Sequence, residues 1–136
     1  MSALQDFLDE NSIDELIEEV TVSERFKDKE GNLLKFTIKN IPMDEYKIIQ
    51  KECTKISKKG ADFDSAKFNE QIVIKGTVNP NFKDAESIKK AGCGVSPELY
   101  LNKKLKAGEI ARLSEKILVL CGFDTGMEEL VEEAKN

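Results

Sequence analysis

The chain of 136 residues has no histidine. That absence removes the Ser-His and Cys-His pairs on which most nucleophilic hydrolysis rests, together with the commonest metal ligand. Cysteine is scarce as well. Cys53, Cys93 and Cys121 are odd in number, widely separated and without a C-x-x-C spacing, so they read as neutral, buried thiols rather than thiolate ligands of zinc. Long apolar runs are missing too: no stretch approaches the roughly 18 residues of a membrane span. The acidic N-terminus also lacks the basic-then-apolar order of a signal peptide, and the expectation is a protein that stays in the cytoplasm where it is made. Gly92-Cys93-Gly94 has neither the spacing nor the preceding strand of a phosphate loop and reads as a turn. No catalytic residue, metal ligand or cofactor site is expected.

What is present is a globular composition, 40% hydrophobic and 35% charged, at a length that suits one modest core. The net charge of −5 conceals an uneven distribution. Residues 1–24 hold eight acidic and no basic side chains, residues 25–122 hold 13 acidic and 20 basic, and residues 123–136 hold five acidic and one basic. The basic middle is interspersed with carboxylates and contains only two arginines, Arg25 and Arg112, so it reads as a solvated mixed-charge surface between acidic ends.

The best-specified stretch is residues 94–123. Ser96-Pro97-Glu98 is a helix start, since serine accepts a free N–H, proline suits the first helical position and glutamate favours the positive dipole end. That helix should run to about Leu105. Ile110, Leu113, Ile117 and Leu120 then recur at helical spacing, with Ala111, Leu118 and Cys121 widening the stripe. Gly122 stands at the left-handed closing position, and Phe123 is placed to fold back on Leu118.

From the start of the chain, Leu4, Phe7 and Leu8, then Ile13, Leu16 and Ile17, form two sets at helical spacing, with Ser12 and Glu15 as a capping box for the second. The reading is an acidic helical arm over residues 1–19, docked on its own core or packed on a partner. Alternation through Val20 to Phe26, turn chemistry at Asp28 to Asn32, and a return through Leu34, Phe36, Ile38 and Ile41 predict a β-hairpin over 20–41. It must rest on helices or add further strands, because two strands alone are barely stable.

After Pro42, Asp44 and Glu45 open a helix with Tyr46, Ile49, Cys53 and Ile56 as a narrow stripe, closing at Lys58-Lys59-Gly60. The two carboxylates read as dipole partners rather than an acid–base pair. Lys47, Lys51, Lys55, Lys58 and Lys59 then make one basic flank. A further helix is expected over about 64–75, although Ile72-Val73-Ile74 and Thr77-Val78 argue locally for strand. Asn79-Pro80-Asn81 breaks it, and Phe82 to Ala91 reads as a short helix with Asp84 as cap and Ile88 inward. Beyond Phe123, residues 124–136 suggest a C-terminal amphipathic helix with Met127, Leu130, Val131 and Ala134 on one face and glutamates opposite. These four are the candidate partner-binding residues.

AGEIARLSEKILVLCGF at 107–123 resembles the C-terminal signature of the XkdN-like phage tail assembly chaperones. VSERFKDKEG at 22–31 resembles that family's N-terminal hairpin, and Val78 to Gly92 its middle segment. The resemblance extends over about residues 16–136. It implies a non-enzymatic assembly factor of a phage or prophage of a Gram-positive bacterium, binding the long, aggregation-prone tape measure protein in the host cytoplasm while the tail tube is built. It further implies absence from the mature virion, with the tail tube protein and a second copy of the chain as further candidate partners. Together these readings give an α+β protein, mainly helical with an N-terminal β-hairpin, in a single domain whose helical core spans 43–122. The alternative is a small nucleic-acid-associated regulator using the Lys47 to Lys59 flank, although nucleic acid is disfavoured because aromatics do not interleave the lysines.

Overall fold

The computed structural model describes residues 2–123. Along the chain the elements are α1 (Ala3–Glu10), β1 (Ile17–Val20), β2 (Phe36–Lys39), α2 (Met43–Cys53), β3 (Thr54–Ser57), β4 (Gly60–Phe63), α3 (Ser65–Gly76), β5 (Thr77–Asn79), α4 (Ala85–Lys90), α5 (Pro97–Lys104) and α6 (Ala107–Leu120). The described residues are therefore mixed α and β: six helices with two small antiparallel sheets, rather than helices beside one hairpin.

Among the helices, the C-terminal half of α3 is the most closely surrounded. Its β-branched run Ile72-Val73-Ile74 is buried at every position, and the helix packs against α2, α5 and α6. A local preference for strand is outweighed because a helix surrounded on several sides gains from apolar side chains all round its circumference. The competing strand signal is realised one step later, where Thr77–Asn79 pairs with β2. Asp64 accepts the Lys67 N–H at 3.0 Å and starts α3. At the other end Gly76 lets α6 approach closely, for a Cβ there would lie 2.5 Å from Cγ2 of Ile117. On α6, Ile110, Leu113 and Ile117 are buried as the spacing requires.

The helix ends follow their local chemistry. Ser96 accepts the Leu99 N–H at 3.1 Å with Pro97 in the first turn, and Asp84 accepts the Ser87 N–H at 3.0 Å. At the end of α6, Gly122 takes φ of 99°. The Phe123 N–H then reaches the Leu118 carbonyl at 2.9 Å and the Gly122 N–H the Val119 carbonyl at 3.0 Å, the paired bonds of a Schellman ending. The Phe123 ring rests near Tyr46, with centroids 5.3 Å apart, rather than serving only the local Leu118 contact.

The main sheet has the order β1-β2-β5, all antiparallel. Phe36 and Ile38 of the central β2 point into the core beside Val20, Val22 and Phe82. The expected hairpin is present with its first strand displaced: pairing runs from Ile17 opposite Lys39 to Val20 opposite Phe36, then resumes only at the Lys27–Leu33 bridge. Asp28 closes the turn by accepting the N–H groups of Glu30 and Asn32 at 2.8 and 2.9 Å. Residues 12–17 thus form no second helix. Ile17 enters β1, and Leu16 is pinned by Asn40, whose side-chain oxygen accepts the Leu16 N–H at 2.9 Å while the Asn40 backbone N–H donates to the Leu16 carbonyl at 3.1 Å. A strand that completes a sheet satisfies backbone groups that a short isolated helix leaves to water.

The second correction concerns residues 54–63. α2 stops at Cys53 rather than at Lys58, and the chain turns into a two-stranded hairpin, Thr54 opposite Phe63 through Ser57 opposite Gly60. Ile49 and Cys53 are buried, but Ile56, expected on the same helical stripe, lies on β3 and is 86% exposed. Thr54 and Ile56 alternate with polar residues and Gly60 takes φ of 121° beside the Lys58-Lys59 turn, so strand chemistry was available locally.

Candidate partner interface

Among the surfaces whose apolar side chains the described residues leave open, two bear on partner binding. The first is α1. Ser2 accepts the Gln5 N–H at 3.0 Å, Gln5 bonds Asp9 one turn on at 3.2 Å, and the Asn11 amide donates to the Phe7 carbonyl at 2.8 Å. Both ends are capped from within. Leu4, Phe7 and Leu8 share one face by their spacing, yet they are 69%, 59% and 58% exposed and no residue of α1 is buried. Eight residues make a marginal helix unless something covers the apolar side, and covering each such side chain is worth about 1.5–3 kcal/mol. Ile13 and Ile17 continue the exposed apolar run towards β1.

The second surface joins α2 to the β3–β4 hairpin. The lysines read as one helical flank are divided: Lys47 and Lys51 on α2, Lys55 on β3, Lys58 and Lys59 in the turn. Lys47, Gln50, Lys51, Thr54, Ile56 and Phe63 line a shallow groove of about 460 Å³ with no carboxylate among them. From Phe63 an aromatic series continues through Phe68 (5.2 Å between centroids) to Tyr46 (6.0 Å) and on to Phe123 (5.3 Å). The sequence hid this series because its members come from four separate segments.

The residues expected to bind a partner, Met127, Leu130, Val131 and Ala134, lie outside the described residues.

The most perturbed carboxyl belongs to Glu109 on α6, which is 4% exposed. Arg25 grips it with two bonds, Nε to Oε2 at 2.7 Å and Nη2 to Oε1 at 2.8 Å, and also donates to the Lys104 carbonyl at 2.6 Å. The Lys106 N–H donates to the same carboxylate at 2.7 Å. These bonds, the guanidinium's first, hold the Glu109 pKa down at about 2 against the cost of burial. With both oxygens taken up by the guanidinium and the Lys106 N–H, this carboxylate ties the loop after β1 to the start of α6. Arg25 lies in VSERFKDKEG and Glu109 in AGEIARLSEKILVLCGF, so two stretches 84 positions apart meet in one ion pair. Neither motif announces the other, and only the opposite charges hinted at it.

Cys53 and Cys93 are buried and Cys121 half-buried. Burial pushes the Cys53 thiol upward, and the Cys121 sulfur accepts the Ile41 N–H at 3.2 Å. Among the described residues no group of three or more histidine, cysteine or acidic side chains is placed to hold a metal. No helix of the described residues is long and apolar enough to cross a membrane.

Comparison with known proteins bears on the whole chain. A family model described as "Phage XkdN-like tail assembly chaperone protein, TAC" matches residues 4–135. Two relatives come from Bacillus subtilis strain 168. The "Uncharacterized protein YqbN" is 36% identical over 124 residues, covering 87% of this chain and 83% of the relative. The "Phage-like element PBSX protein XkdN" is 33% identical over 123 residues, covering 86% and 82%. The crystal structure of YqbN superposes with a TM-score of 0.71 at 31% identity, covering 91% of this chain and 99% of that one.

Proposed function

Because the chain belongs to the XkdN-like family of phage tail assembly chaperones, we propose that it binds the tape measure protein during tail tube assembly, without catalysis, in the cytoplasm of the host. The observation that carries this reading is α1, a capped helix whose Leu4, Phe7 and Leu8 are left uncovered by the described residues. Such a face matches apolar helix recognition, in which residues at three- and four-residue spacing enter a groove or lie along a partner helix. The acidic side chains around it keep the uncovered face soluble and disfavour like-charged contacts. Residues 124–136, with Met127, Leu130, Val131 and Ala134 in the same kind of pattern, are proposed as a second contact. The chaperone leaves before the virion is complete, and the tail tube protein and a second copy of the chain are further candidate partners.

Co-expression with the tape measure protein tests this. Leu4→Asp with Phe7→Asp should reduce the captured tape measure protein at least about ten-fold, since each lost apolar contact is worth more than 1 kcal/mol. The melting temperature should hold, because α1 contributes nothing to the core. Undiminished capture by a folded double variant would remove α1 from the interface.

A further inference from the structure

We propose that the groove between α2 and the β3–β4 hairpin is the docking site for residues 124–136 of the same chain, which latch there until a partner draws them away. This deepens the preceding reading by giving one of its proposed contacts a resting place, and its test uses no tape measure protein, so the two ideas fail separately.

Three observations converge on this occupant. The first is where the described chain leaves the body. Phe123 lies against Tyr46, and the Tyr46 hydroxyl accepts a bond from Gln50 at 3.3 Å, one of the residues lining the groove. The chain therefore departs at one end of the aromatic series whose other end is Phe63. Lys51 stands only about 8 Å further along the α2 axis, a distance that Asp124 to Gly126 alone can span when extended to about 10 Å.

The second is charge. Residues 124–136 hold five acidic side chains and one lysine, whereas the groove presents Lys47 and Lys51 with no carboxylate in its lining. The hairpin adds Lys55, Lys58 and Lys59, partly offset by Asp62 opposite Lys55 and by Glu52.

The third is the hairpin itself. β3 and β4 form a two-stranded sheet with every residue but Thr54 exposed, and Ile56 and Phe63 are 86% and 52% exposed. Two strands alone are marginal in water, so an apolar stripe laid across them supplies what the described residues do not. The sequence spacing of Met127, Leu130, Val131 and Ala134 suits such a stripe.

The chain has no tryptophan, so Phe63→Trp puts a single reporter in the groove. Acrylamide quenching is measured on the full-length F63W chain, and on F63W combined with Leu130→Asp, with truncation after Phe123, and with Lys47→Glu plus Lys51→Glu. The lysines are exposed, so the charge-reversed variant keeps its fold, which circular dichroism checks. The quenching constant should be low in F63W and rise about two-fold or more in all three combinations as the indole becomes open to solvent. Equal quenching in all four proteins overturns the proposal. Protection that fades on dilution also overturns it, identifying a second copy as the occupant. Protection that survives Leu130→Asp but is lost on deleting residues 2–11 overturns it in favour of α1. Quenching of the full-length reporter by a single-stranded oligonucleotide, with no effect of the truncation, would assign the groove to nucleic acid.

Discussion

Gly76→Ala tests the packing of the two helices on which the core depends. The new Cβ would stand 2.5 Å from Cγ2, 2.9 Å from Cδ1 and 3.2 Å from Cγ1 of Ile117. Carbon atoms prefer about 3.5–4.0 Å, so the shortfall is about 1 Å against a side chain with no exposed surface into which to retreat. Gly76 does not have a positive φ, so the backbone tolerates alanine, and helix propensity alone would favour it by up to about 1 kcal/mol. Overpacking of this kind costs about 1–3 kcal/mol, and the net expectation is destabilisation of about 1–2 kcal/mol. Ile117→Ala alone should cost about 2–5 kcal/mol through the cavity it leaves. In the double variant the alanine at position 76 enters part of that cavity, so the two costs should fall short of their sum by about 1 kcal/mol or more. Urea unfolding followed by far-ultraviolet circular dichroism measures all four corners of the cycle. A neutral or stabilising Gly76→Ala, or strict additivity, would refute the close approach of α3 and α6 at this point.

Leu113, with no exposed surface at the middle of α6, should cost about 2–5 kcal/mol when replaced by alanine, measured by the same unfolding curves; a loss below about 1 kcal/mol would mean that this face is not the core. The acid limb should carry the mark of Glu109. Its folded pKa of about 2 lies below the ordinary 4.5, so its contribution is fully present above about pH 4.5 and is lost as pH falls towards 2. The urea midpoint of Glu109→Gln should accordingly lie below that of the native chain at neutral pH, with the gap narrowing as the pH falls through this window.

Most capping and periodicity signals were legible because their physics is local, although the capping box at Ser12 and Glu15 started no helix. Caps act within three or four residues, so Ser96-Pro97, Asp84 and Gly122 marked helix ends that the structure keeps. Periodicity located Ile110, Leu113 and Ile117 as the buried face of α6, because an amphipathic helix has only one side to bury. The candidate interface was half legible: the apolar stripe of α1 could be read, but whether the chain itself covers it could not.

The starts of α2 to α5, the ending of α6, the turn at Asp28 to Asn32, the buried stripe of α6 and the family resemblance could all be read along the chain because they depend on near neighbours or on word order, whereas the end of α2 and the capping box at Ser12 and Glu15 could not be read correctly there. Whatever needed a distant partner was settled only by the packed fold. Residues 17–20 are a strand because β2 offers backbone groups to pair with, and Thr77–Asn79 extends that sheet from its other side. The run Ile72-Val73-Ile74 is helical because α2, α5 and α6 enclose it. Arg25 and Glu109 acquire their role only when the chain brings them together, since an ion pair depends on separation in space and carries no trace of itself along the sequence.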